Sequence, residues 1–460
     1  MDDKLLFSHK NTKQFKFALS CDSYVFYTAM KIAIVGSGIS GLGLAHALRG
    51  QAELSLFEAG SYFGGHTHTV DLTLPTREGV NQTYGVDTGF LVFNERTYPQ
   101  LIQLFADLQV PTARSDMSFS VHVPGAPGQS PLEWSGSSLN TVFAQRRNLL
   151  NPRFLRMLRD VMRFNQLCTD MALRNAESEL MQPLSAFLDQ HGLSGEFRDW
   201  YFLPMLGCIW SCPTDQMLQF PVATMIRFCH NHGLIQVSNR PQWWTVAGGA
   251  RQYVEKIVAQ IADKRLNAPV QRITRDAQGV SVHVNGQTER FDKVVLACHS
   301  DQALGLLAEP SRAEQQTLGA IRYQANRAVL HTDTSVLPRT RRAWAAWNYQ
   351  RSAHTGRDAA QVCLHYLINM LQPVPFVQPV VVSLNPIADI DPAQVHASFE
   401  YAHPVFDVAA IRAQGQVDAL QGQQNTYFCG AWTGYGFHED GLKSGLGVAR
   451  RLHAELQLAP

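Results

Sequence analysis

A chain of 460 residues is long enough for two or three domains and for a core that needs no metal or disulfide to hold it. Hydrophobic residues at 45% and charged ones at 17% exclude a disordered chain, and no run of 18 apolar residues is present to cross a bilayer as a helix. With 39 Lys and Arg against 38 Asp and Glu, a net charge of +1 excludes general attraction to nucleic acid, so any phosphate recognition has to be local. The eight cysteines are scattered without a Cys-x-x-Cys pair, which fits neither a zinc site nor a disulfide framework; they read as buried thiols of a reducing, cytoplasmic compartment. Cys208 and Cys212 sit four apart and read as packing residues.

Residues 1–29, with Lys4, Lys10, Lys13 and Lys16 and a broken apolar stretch, make a poor signal peptide. The expectation is a disordered extension, with the folded protein starting at Met30. Lys31 to Val35 then reads as a buried strand, Gly36-Ser-Gly38-Ile39-Ser40-Gly41 as a turn, and the run through Leu48 as a helix. In this Gly-x-Gly-x-x-Gly spacing the first glycine permits the turn, the second lets backbone approach a pyrophosphate, and the third lets helix and strand pack closely. A second strand, Glu53 to Phe57, ends in Glu58, 20 residues after Gly38, where an acid accepts from ribose hydroxyls. Strand, turn, helix and acid together predict a dinucleotide-binding unit.

Immediately after Glu58 and Ala59 come Gly64-Gly65-His66-Thr67-His68-Thr69 and Val86-Asp87-Thr88-Gly89-Phe90, and the chain closes on Cys429-Gly430-Ala431-Trp432 and Tyr435-Gly436-Phe437-His438-Glu439-Asp440-Gly441-Leu442. With these segments, residues 30 to 458 resemble the flavin-dependent amine oxidase superfamily, in the bacterial branch related to phytoene desaturases and protoporphyrinogen oxidases. The resemblance implies an α/β fold in which a Rossmann-type FAD-binding domain, a parallel sheet plus a β-meander, is interleaved with a mixed α+β substrate domain. It implies FAD as cofactor, held by Gly36, Gly38, Ile39, Ser40, Gly41, Glu58, Ala59, Gly64, Gly65, His66, Thr67, Val270, Ala297, Gly430, Gly441 and Leu442. His66 stands where family members usually carry an Arg that helps with the pyrophosphate, which makes that contact weaker or pH-dependent. The pairs His66/His68 and His230/His232 lack an accompanying acid or Cys cluster, so no metal is expected.

Further along, residues 97 to 110 read as a helix and Met117 to Val123 and Leu132 to Trp134 as short strands. Asn151-Pro152 opens a long helix to about Asn175, with Phe154, Leu155, Leu158, Val161, Met162 and Leu167 assigned to one side and Arg153, Arg156, Arg159 and Arg163 to the other. Two readings stand for its basic face: a solvated surface over a helical core, or contact with an anionic membrane surface that would place the protein at the periphery of the inner membrane. After a helix from Arg251 to Ala262, segments Val270 to Arg275, Val280 to Val284 and Phe291 to Ala297 read as a three-stranded meander. The expected FAD-binding domain is thus 30–115, 240–310 and 420–460, and the substrate domain 116–239 and 311–419. A terminal helix starting near Gly441 would aim its positive end at the flavin.

The chemistry is narrowed by what is missing. Amine oxidases of the superfamily hold a water beside the flavin with a Lys, yet this chain has none between Lys293 and Lys443; Asn326 or Arg327 falls in the equivalent region, and Trp432 replaces a usual Glu. Candidate catalytic residues are Tyr435, Phe437, His438 and Glu439, with Tyr323 and His365 as weaker ones. The resulting expectation is an FAD-dependent oxidoreductase that takes hydride from an apolar substrate, an unsaturated fatty acyl or related lipid chain, by dehydrogenation, desaturation or isomerisation. The rivals are an amine oxidase and a non-catalytic flavin-binding partner of a lipid-modifying methyltransferase. The lipid substrate and that methyltransferase are implied only by the resemblance, whose bacterial branch is often encoded beside such methyltransferases.

Overall fold

The computed structural model describes residues 29–125, 129–174, 182–210, 217–235, 240–352 and 362–458; the expectation for the amino-terminal extension and the Cys208/Cys212 pairing lie outside them. Five parallel strands form one sheet in the order Asp263–Arg265, Glu53–Phe57, Lys31–Val35, Lys293–Leu296, Thr426–Phe428. Its central strands are near-continuous apolar runs because both faces are covered. Ile32 and Ile34 point into a core shared with the helix Ile39–Leu48 and the carboxy-terminal helix His438–Leu458. Ala33 and Val35 point the other way, onto Ile273, Val280, Val282 and Phe291 of an antiparallel meander.

The meander is made of Val270–Asp276, Gly279–Val284 and Gln287–Phe291. The sequence reading merged its third strand with Lys293–Leu296, which belongs instead to the parallel sheet. Asp292 separates the two: its backbone N–H donates to Lys31 O at 2.9 Å and its carboxylate accepts from the Lys31 N–H at 2.7 Å, which steers the chain from one layer to the next.

The second layered unit is a seven-stranded sheet in the order Val395–Val405, Arg322–His331, Val381–Leu384, Cys363–Leu367, Trp347–Gln350, Phe119–Val123, Leu132–Ser135. Only Trp347–Gln350 and Phe119–Val123 run parallel. Helices Pro152–Leu173, Leu184–Gln190, Leu203–Trp210 and Val222–Asn231 lie beside it. The Pro152–Leu173 helix starts where its sequence says: Pro152 is at the first turn and the Asn151 side chain accepts from the backbone of Arg153 and Phe154. Its inward stripe is Phe154, Met157, Phe164 and Cys168. Leu155 and Met162, assigned from sequence to the apolar side, are instead 43% and 57% exposed, because at 100° per residue they fall on the outer stripe with Arg156 and Arg159.

The carboxy-terminal helix begins at His438, three residues before the expected Gly441. The Asp440 carboxylate accepts from the N–H groups of Tyr435 and Phe437, each at 3.0 Å, and so winds the chain into a helix ahead of the glycine. No helix among the described residues is long and apolar enough to cross a membrane.

Candidate active site

One cavity of about 1210 Å³ runs between the two units, above the usual 300–1000 Å³ of small-ligand pockets and therefore roomy enough for a dinucleotide and a second molecule. At its first end the three motif glycines have three distinct jobs. A Cβ on Gly36, whose φ is +106°, would lie 2.7 Å from Ala297 O, and one on Gly41 would lie 2.1 Å from Gly36 O. Gly36 is closed by the end of the neighbouring Lys293–Leu296 strand and Gly41 by the turn itself. A Cβ on Gly38 would meet nothing within 4 Å, because Gly38 faces the open cavity. Gly38 is also the N-cap of the Ile39–Leu48 helix and no side chain caps that terminus, so its positive end is presented to the cavity, with Ile39 and Ser40 in the wall.

Glu58 lies at the end of its strand in the same wall. Its carboxylate accepts from Ser37 N at 3.0 Å, Ser37 Oγ at 2.5 Å and Gly60 N at 2.8 Å, three of about four acceptor positions, and one remains for a ribose hydroxyl. Backbone pairing of Ala268 N with Glu58 O at 2.9 Å brings Ala268 and Val270 beside it. Ala59, Gly64, Gly65, Ala297 and Gly430 complete this end. Gly41, Thr67, Gly441 and Leu442, also named from the sequence, do not line the cavity. A Cβ on Gly441 would lie 2.8 Å from Ile39 Cγ2, and Leu442 fills the space beside Gly43; both hold the two helices together behind the wall.

Among the described residues no Lys or Arg lines the cavity. The side chains that can carry positive charge there are histidines, and burial lowers each of the main ones. His66 packs its ring against those of Tyr401, His403 and His299 at 5.2, 5.3 and 6.0 Å, and its Nε2 is shielded and without a hydrogen-bond partner. Burial holds it well below the usual histidine value, and His403 at about 4. His403 Nδ1 accepts from the Asn326 amide at 2.7 Å, so a neutral His403 carries its proton on Nε2. His299 stacks on Tyr323 at 4.3 Å, and the Tyr323 hydroxyl accepts from Ser300 N.

Next to His66, whose carbonyl accepts from the Phe90 N–H at 2.8 Å, His438 lies flat on Phe90, ring centroids 3.8 Å apart, and its Nε2 meets Thr67 Oγ1 at 2.8 Å and Tyr253 OH at 3.2 Å. Burial lowers it to about 3, so it is a fixed neutral wall. Phe437 stacks on Phe228 at 5.0 Å beside His232, which burial lowers to about 4. Tyr98 and Trp243 close this aromatic section. Beyond it, Met117, Phe119, Met205, Cys208, Ile209, Trp347 and Tyr366 add an arm that is apolar throughout these described residues. Burial pushes Cys298 up to about 12, so this cavity thiol stays protonated.

Other candidates fall elsewhere. Glu439 is turned away from the cavity and accepts from the N–H groups of Gln100 and Leu101, each at 3.0 Å, at the start of the Pro99–Asp107 helix. Tyr435 contacts Phe228 behind the wall. His365 is held inside the seven-stranded sheet by Ser383 Oγ at 2.6 Å and Gln350 Oε1 at 2.9 Å. Arg327 is exposed and bonds Ser398, while Asn326 supports His403 from behind. Tyr98, His299 and His403 were missed by the sequence reading; only Tyr98, within the Asn-Glu-Arg-Thr-Tyr-Pro segment, sat in a motif that could have flagged it. Among the described residues no group of three metal-ligating side chains converges.

These features define a dinucleotide-dependent oxidoreductase fold, and the comparisons give its family. Residues 39–453 match the model of flavin-containing amine oxidoreductases, and the chain belongs to that family. It is an FAD-dependent oxidoreductase, and the open Gly38 cradle, the uncapped helix terminus and the free acceptor position of Glu58 fit the cofactor. Similar solved structures include a fatty acid isomerase from P. acnes that produces CLA, at TM-score 0.63 and 16% identity over 92% of this chain and 98% of that one. Cyclohexylamine oxidase from Brevibacterium oxydans matches at 0.64 and 17% over 93% and 100%. Putrescine oxidase bound to putrescine matches at 0.64 and 17% over 92% and 99%. No curated protein sequence matches the chain.

Proposed function

We propose that the protein takes hydride from a carbon of an unsaturated fatty acyl or related lipid chain, by dehydrogenation, desaturation or isomerisation. The observation that carries this reading is the apolar arm: its described lining from Met117, Phe119, Met205, Ile209, Trp347 and Tyr366 offers an alkyl chain dispersion contacts, whereas the acids of the cavity, Glu58 and Glu400, are not part of that arm. Bound FAD supplies the hydride acceptor. The residues of the chain do the rest. Phe437, Phe228 and Tyr98 hold a flat or extended apolar group in place, and the Phe90–His438 stack fixes one wall. His438 bonds through Thr67 and Tyr253 rather than into the cavity, so its role is positioning. The apolar lining excludes water from the reacting carbon.

That one structural relative is a fatty acid isomerase agrees with this reading, while two others are amine oxidases. That no Lys is among the described residues of the cavity weighs against amine oxidation here. Incubating the FAD-loaded protein with linoleic acid, and separately with cyclohexylamine or putrescine, decides between them by mass spectrometry and peroxide detection. A lipid with a moved or added double bond is the expected outcome; peroxide from the amines with unchanged lipid would overturn it.

A further inference from the structure

Between residues 129 and 169 the chain carries six arginines, Arg146, Arg147, Arg153, Arg156, Arg159 and Arg163, and two acids, in a protein whose net charge is only +1. Both acids are withdrawn from the surface. Glu133 is 1% exposed and accepts from the N–H groups of Arg339 and Thr340; the Asp160 side chain is 1% exposed, accepts from Ser194 N and Arg163, and also pairs with Arg159 at 3.5 Å, one acid shared by two arginines. Arg146 donates to Asn140 O and Phe143 O, and Arg147 to Pro131 O, bonds that fix the guanidinium groups without neutralising them. Glu196 offsets Arg153 from outside the segment.

The same face is apolar. Leu139, Leu149, Leu150, Leu155 and Met162 are 79%, 50%, 89%, 43% and 57% exposed, five of the twelve exposed large hydrophobic side chains among the described residues. Single exposed leucines are ordinary; this many beside six arginines that share only Asp160 and Glu196 as ion-pair partners are not. The short turn Arg146–Leu150 leads directly through Asn151 into the outer stripe of the Pro152–Leu173 helix, and the Arg146 bonds to Asn140 and Phe143 place Leu139 beside it. Leucines that dip into a hydrocarbon boundary under a ring of arginines that meet phosphate are the features of an interfacial lipid contact.

We infer that the face formed by Leu139, the Arg146–Leu150 turn and the outer stripe of the Pro152–Leu173 helix docks on an anionic lipid bilayer. Charge complementarity selects that occupant: a second copy of this chain would set arginine against arginine, and a neutral apolar partner would leave them uncovered. The docking does not require the substrate to be a lipid. Its test is co-sedimentation of the full chain with vesicles of phosphatidylglycerol and phosphatidylcholine, against phosphatidylcholine alone, at low and high salt. Binding to the anionic vesicles only, released by salt, is expected. The pair Arg146→Gln with Arg147→Gln should weaken partition about 30-fold, and Leu149→Ser with Leu150→Ser should weaken it while the circular dichroism spectrum stays unchanged. Equal binding to neutral vesicles, no binding, or full binding by both double variants overturns the inference. So does a shift from dimer to monomer in the leucine variant without vesicles, which would make the face a self-association surface.

Discussion

Gly38 and Gly41 belong to one motif and are three residues apart, yet the space around them differs completely. An added methyl group at Gly41 collides with Gly36 O at 2.1 Å, while one at Gly38 enters the open cavity. Gly41→Ala should therefore cost roughly 3 kcal/mol of stability, read by chemical denaturation. Gly38→Ala, which adds only the methyl group that meets nothing, should lower stability by no more than about 1 kcal/mol through the weaker N-cap and weaken FAD binding by at least about tenfold, since backbone approach to the pyrophosphate is lost. The histidines give a second prediction at this scale. Burial holds His66 and His403 neutral, His403 with a value of about 4, and no Lys or Arg among the described residues is there to meet an anion. An anionic cofactor favours their charged forms, so their values rise on binding and protons are taken up. Affinity then grows as pH falls from the raised value toward about 4. Titration calorimetry at mildly acidic pH in two buffers of different ionisation enthalpy should show proton uptake, reduced in His66→Arg; identical heats in both buffers would contradict it.

At the scale of elements, the turn from Gly430 into the His438–Leu458 helix organises the aromatic section. Glu439 serves this junction by holding the first N–H groups of the Pro99–Asp107 helix. Glu439→Ala should lower stability by roughly 1–2 kcal/mol and leave the anaerobic rate of flavin reduction within about twofold, because the side chain does not reach the cavity. A large loss of that rate at unchanged stability would restore a catalytic role. The sequence was legible wherever chemistry is local. Gly36, Gly38, Gly41 and Glu58 announce their turn, helix and acid through spacing alone, and Asn151-Pro152 announces a helix start. It was illegible where long-range pairing decides. His403 reaches the cavity only because Val395–Val405 pairs with Arg322–His331, and His299 because the Lys293–Leu296 strand ends beside it. The meander's third strand was misplaced because Gln287–Phe291 is polar and half exposed, whereas the neighbouring Val294-Val295-Leu296 run dominates any apolar pattern.

At the scale of the whole molecule, the parallel sheet with its meander carries the cofactor end of one cavity, and the seven-stranded sheet with its helices carries the apolar end. Much of the apolar lining is contributed by Phe119, Trp347 and Tyr366, three strands that lie side by side in that sheet yet are scattered along the chain, so it could not be read from any single segment. In the proposed reaction hydride passes within this cavity from an alkyl chain rather than from an amine. Rapid mixing of the FAD-loaded protein with an unsaturated fatty acid under strict anaerobiosis, followed by visible absorbance, tests it most directly. The oxidised flavin band is expected to bleach with the fatty acid, transiently if hydride returns to the product and lastingly if it does not, and to stay unchanged with cyclohexylamine and putrescine. A band that ignores the lipid and bleaches with an amine would contradict the substrate assignment and leave the fold and its cofactor standing.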